Sequence, residues 1–208
     1  MTTHSAGEAP GRDWLAFDRS DRWGLTAILG LAALVAFVGW VIGPVVAWVR
    51  GEAIPVGLDS EVSVPALEAA GVRHGWAAYD AYLADPSTGQ RVLAIVPGLL
   101  WVALVLAGAW LVLRIMRAVA ADDPFHSATV RRLRMLAGLL ALGAPIAYAV
   151  DLVVRGLLLG AMDLGGLTSV GVTLNPPWLA MIGGLVVALL AEAFKAGGRL
   201  RQDLEGLV

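Results

Sequence analysis

Apolar positions fall into four long runs, and nearly all of the charge lies between them. The first run, Trp23 to Val49, and the second, Val92 to Leu113, contain no charged residue. The third, Met135 to Val154, is interrupted only by Asp151, and the fourth, Trp178 to Phe194, only by Glu192. At about 1.5 Å of rise per residue, helical runs of this length are suited to a hydrocarbon core of about 30 Å, with tilt for the longest. Asn175-Pro176-Pro177 is a helix-start signal ahead of the fourth run. The pattern predicts an all-α integral membrane four-helix bundle spanning residues 23–194, with tails over 1–22 and 195–208. Trp23–Val49 is too long for a signal-peptide core and follows a stretch of mixed charge, so no cleaved leader is expected.

The first connection, from Arg50 to Arg91, is the largest and is expected to form a small cap. From Pro65 through Asp85 it reads as a short helix, with Leu67, Val72, Trp76, Tyr79 and Leu83 as a rough apolar stripe. Two alternating pieces, Val62–Val64 and Val170–Leu174, are candidates for a two-stranded ribbon. In the connection from Arg114 to Arg134, Asp122-Asp123-Pro124 breaks the preceding helix, and Asp123 or Ser127 is placed to cap the next. Leu200, Leu204 and Leu207 recur as on a short amphipathic helix.

Charge adds an orientation. The N-terminal tail has three basic residues, the Arg114–Arg134 connection five and the C-terminal tail three, against three in the first connection and Arg155 alone in the third. Basic residues near span ends are retained on the cytoplasmic side, so both termini are expected in the cytoplasm and the larger first loop outside. That loop carries Glu52, Asp59, Glu61, Glu68, Asp80 and Asp85, which makes the outer side acidic.

Composition adds exclusions. The chain has 208 residues, 58% hydrophobic and 15% charged, with a mean hydropathy of +0.75, far from the balance of a soluble domain. The absence of cysteine excludes disulfides, thiolate metal sites and a cysteine nucleophile. A net charge of −2 gives no overall basic surplus for direct nucleic-acid binding. With 14 arginines, one lysine and abundant Ala, Leu, Val and Gly, the usage reads as that of a GC-rich bacterium, and the expected location is the inner membrane.

Candidate chemistry is sparse. His74, Trp76, Tyr79, Asp80 and Tyr82 form the one chemically varied cluster of the outer loop, and anchoring at the membrane interface explains its aromatic residues better than ligand contact. His4 and His126 lie in other segments, and no metal-binding spacing or catalytic motif is present, so no metal, cofactor or enzymatic activity is expected. Asp151 precedes Arg155 by four residues, the favourable helical order for an ion pair at the interface. Glu192 has Lys195 three residues on and is expected to pair with arginines of the Arg114–Arg134 connection. A small transporter or channel subunit is the rival reading, with Asp151, Glu192 and kinks at Pro44, Pro97 and Pro145 lining a path. Small residues at helical spacing, Ala32, Ala36, Gly39 and Gly43 in the first run and Ala180, Gly184 and Ala188 in the fourth, are expected to let helices of the same chain approach closely. A homo-oligomer has no independent support.

Two segments resemble a known family. The stretch DPFHSATVRRLRMLAG, Asp123 to Gly138, and the ending AEAFKAGGRLRQDLEGLV, Ala191 to Val208, resemble the bacterial membrane proteins grouped as domain of unknown function 2975. The resemblance extends over the four-span plan from Trp23 to the C-terminus; Thr129 stands where that family usually has Asn. It implies a four-helix membrane protein whose relatives are often encoded beside a small helix-turn-helix regulator, and it carries over no catalytic residue. The two motifs place Pro124, Phe125, Arg131, Arg134, Glu192, Phe194, Gly198 and Glu205 at one cytoplasmic face. That face is the expected docking surface for a regulatory protein, with the lipid bilayer as the other partner.

Overall fold

A computed structural model describes residues 19–60, 69–71, 77–119, 127–162, 170–172 and 174–205. The chain is mostly helical, with four helices long and apolar enough to cross a membrane: Trp23–Val49, Thr88–Val119, Ser127–Leu159 and Trp178–Leu200. Their surfaces expose large apolar side chains such as Leu31, Leu106, Ile146 and Leu189, as acyl chains require. The spans outrun the apolar runs because their polar ends are also helical. Ser87 and Gln90 begin the second span with reciprocal bonds: the Ser87 N–H donates to Gln90 Oε1 at 2.7 Å, and the Gln90 N–H to Ser87 Oγ at 3.3 Å. This capping box satisfies two of the donors that a helix start leaves open.

The first span ends in a Schellman motif. The Gly51 N–H donates to the Trp48 carbonyl at 3.0 Å and the Glu52 N–H to the Ala47 carbonyl at 2.9 Å, with Gly51 at φ +70°. The chain then enters strand β1, Ile54–Ser60, which pairs antiparallel with β2, Ala77–Leu83, and with β3, Val170–Val172, in the order β2-β1-β3. The expected all-α fold therefore has a sheet added at one end. The helix expected from Pro65 to Asp85 is replaced over its last third by β2. Of the expected ribbon, the strand at Val170 forms, but its partner is β1; Val62–Val64 lies outside the described residues. Alternation explains the sheet: Ile54, Val56 and Leu58 share a face with Tyr79, Ala81 and Leu83. Val56, Leu58 and Leu83 pack with Val154, Leu158 and Leu159 of the third span into the core under the sheet.

Each span packs on its sequence neighbours, first on second, second on third, third on fourth. Among the described residues no packed interface joins the first span to the fourth, so the helices form a row closed at one end by the sheet rather than a closed bundle. Two π-helical turns interrupt the row, Val38–Ile42 in the first span and Leu139–Gly143 in the third. Each stands just before a proline, Pro44 or Pro145, whose missing N–H and bulky ring favour such a widened turn.

Candidate functional site

At the sheet end a cavity of about 700 Å³ opens between β1 and the first three spans, a volume typical of small-ligand sites. One wall is the face of the first span formed by Gly39, Gly43 and Ala47, four residues apart. Gly39 is ten residues below Val49, so the cavity reaches about 15 Å down that span. A Cβ at Gly39 meets nothing within 4 Å, and one at Gly43 meets only the Val38 carbonyl at 3.6 Å. These glycines, expected to join helices, instead leave space.

The remaining walls mix apolar and polar groups. Ile95 and Pro97 come from the second span and Val154 and Leu158 from the third. Among the described residues β3 pairs with Leu58 to Ser60 of β1 and leaves residues 54–57 with an open edge there. Pro55 sits on that stretch because an open edge tolerates a strand nitrogen that has no hydrogen to donate. The charged lining residues are Glu52, Asp80, Arg91, Asp151 and Arg155, and the aromatic ones Trp48 and Tyr82. Arg155 Nη2 donates to Asp151 Oδ2 at 2.7 Å; the Asp151 side chain is only 16% exposed. Arg91 Nη1 donates to the Glu52 carbonyl at 3.1 Å, while the Glu52 carboxylate stands 3.7 Å from Arg50. Of the aromatic-rich outer cluster, Tyr79, Asp80 and Tyr82 lie on β2, and His74 and Trp76 fall outside the described residues.

The opposite, arginine-rich end carries a second charged group. Arg134 of the third span donates to Glu192 of the fourth, and Lys195 Nζ stands 3.7 Å from the same carboxylate. Arg132 Nη1 donates to the Arg114 carbonyl of the second span at 3.5 Å, and the Arg114 guanidinium lies 5.1 Å from the centre of the Trp110 ring. Arg131 is exposed and makes no hydrogen bond or ion pair among the described residues. Phe194 and Gly198 are half-buried at helical spacing from fully buried Ala191, so they lie toward the packed side of the fourth span. Pro124, Phe125, His4 and His126 lie outside the described residues, as does the side chain of Glu205. Thr129 is buried, and its hydroxyl has no partner among the described residues.

The structure thus brings Arg134 and Glu192 together and sets Asp151 and Arg155 in a cavity wall. Sequence reasoning missed the parts that Glu52, Arg91, Trp48 and the two glycines play in that wall. The charges of Glu52 and Arg91, flanking adjacent apolar runs, were a visible signal that these residues share a depth; a void leaves no such mark. Among the described residues no three His, Asp or Glu side chains stand close enough to hold a metal ion. No curated protein and no solved structure matches the chain. A family model described as "Protein of unknown function (DUF2975)" does match, over residues 75–208, taking in β2, the last three spans and the arginine-rich end but neither the first span nor β1. The chain belongs to that family.

Proposed function

We propose that the chain is a non-enzymatic regulatory protein of the bacterial inner membrane, with both termini in the cytoplasm, that docks a cytoplasmic partner on its arginine-rich end. The observation that carries this reading is the contrast among neighbouring arginines. Arg132 is tied to the second span and Arg134 to the fourth, which fixes the ends of three helices against each other. Arg131, immediately before them in sequence, is exposed with no partner among the described residues. A fixed platform that presents a cation suits an acidic patch on a partner, since the ordering cost is met before binding. The family resemblance makes a small helix-turn-helix regulator the partner of choice.

The rival transporter reading requires Asp151 and Glu192 on one path. The cavity lined by Asp151 does not include Glu192. Arg134, which holds Glu192, is 17 positions from Asp151 along the third span, about 25 Å. The docking reading is tested by co-purifying full-length variants with a small helix-turn-helix regulator of the kind that the family resemblance implies. Arg131→Glu is expected to reduce capture at least tenfold, while Arg134→Glu combined with Glu192→Arg, which preserves an ion pair, retains it. Capture unchanged by Arg131→Glu would overturn the reading.

A further inference from the structure

We propose that the cavity at the sheet end is a binding site for an organic cation with an apolar body. This does not depend on the docking reading, because it concerns the opposite end of the molecule.

Three features of the wall define the ligand. Depth is the first: the face of Gly39, Gly43 and Ala47 continues about 15 Å below the end of the first span and is met across the void by Ile95, Pro97 and Leu158. A purely polar ligand would leave those groups uncovered; an apolar body fills them. Charge is the second feature. The lining carries three carboxylates, of which Glu52 stands 3.7 Å from Arg50 and Asp151 is held by Arg155, so Asp80 is the one without an ion pair among the described residues. Asp80 is exposed on β2, and the Arg91 guanidinium is turned to the Glu52 carbonyl. Aromatic side chains are the third feature, since Trp48 and Tyr82 are both in the lining and rings of this kind attract cations.

The test uses the full chain purified in detergent, with tetraphenylphosphonium as the cation and tetraphenylborate as its anion of the same shape, each titrated calorimetrically. Gly43→Leu places a side chain in the void with no backbone neighbour to displace other than the Val38 carbonyl of its own helix. Gly30→Leu is the control on the same span, since a Cβ there meets nothing within 4 Å and Gly30 is not in the cavity wall. Asp80→Asn, on an exposed strand position, probes charge without a change of volume. Wild type and Gly30→Leu are expected to bind one cation saturably, Gly43→Leu to bind at least tenfold more weakly, and Asp80→Asn three- to tenfold more weakly. The anion is expected to show no saturable binding sensitive to Gly43→Leu. The proposal is overturned by no saturable cation binding to wild type, by equal cation affinity in wild type and Gly43→Leu, or by equal sensitivity of the anion to that substitution. Should Gly43→Leu fail to fold, Asp80→Asn decides, and wild-type cation affinity in that variant overturns the proposal.

Discussion

Glycines divide into two kinds, and only their surroundings separate them. A Cβ at Gly98 would lie 2.2 Å from the Trp40 carbonyl, and one at Gly184 2.6 Å from the Ala141 nitrogen and 2.9 Å from the Ala137 carbonyl. Trp40 is four residues before Pro44, so its carbonyl lacks the usual helical donor and can approach the Gly98 backbone instead. The Trp40 and Trp101 rings close the same contact at 5.9 Å between centres. Gly183, one position from Gly184, has nothing within 4 Å of its Cβ position. Gly184→Ala is therefore expected to destabilise by about 1–3 kcal/mol through overpacking, while Gly183→Ala is neutral or stabilises by up to about 1 kcal/mol through helix propensity. Reversible unfolding in mixed micelles distinguishes the two. The spacing of Gly39 and Gly43 announced close helix packing, yet those two line a void, whereas Gly98, four residues after Ala94, was not singled out and carries the tightest approach. Sequence spacing places small residues on a face but does not contain what stands opposite. Thr129 shows the same limit: buried with a hydroxyl that has no partner among the described residues, it predicts that Thr129→Val raises stability by about 1 kcal/mol in the same assay.

Among elements, the spans were legible and the sheet was not, for one physical reason. A membrane helix satisfies its backbone within a contiguous segment, so its evidence is local: length and apolarity. A strand is defined by partners, and β1 takes one of them, β3, from more than a hundred positions away. The β2 sequence Ala-Ala-Tyr-Asp-Ala-Tyr-Leu, rich in alanine, also agrees with a helix until Leu83 and Ala81 are seen facing Ile54 and Val56. Leu58 is the residue on which the sheet's attachment is most exposed to test, because it is paired to both β2 and β3 and buried with the third span. Leu58→Ala is expected to cost about 2–5 kcal/mol. A loss confined to the cap would leave overall helicity unchanged while proteolysis within residues 50–91 accelerates, a pattern visible by circular dichroism and timed digestion.

For the whole molecule, the sheet supplies the connection that the row of helices lacks. β1 continues the first span, β2 precedes the second, and β3 lies between the third and fourth. Pairing of β1 with both others therefore fixes the sheet ends of the spans, as the arginine contacts fix the opposite ends of the last three. Four crossings require the two chain ends to share a side, and the excess of arginine at the end opposite the sheet is expected to keep that side cytoplasmic. The lack of native cysteine makes the test clean, since every introduced thiol reports its own position. Tyr82, 66% exposed on β2, and Asp203, exposed near the end of the fourth helix, are suitable sites. On intact cells a membrane-impermeant maleimide is expected to label Tyr82→Cys fully and Asp203→Cys only after lysis. The inverse pattern would reverse the orientation, and labelling of both on intact cells would contradict four crossings, because the two residues are separated by three of the spans. Labelling of Tyr82→Cys on intact cells would also put the cavity that Tyr82 lines on the exterior side, where the proposed cation arrives without crossing the membrane.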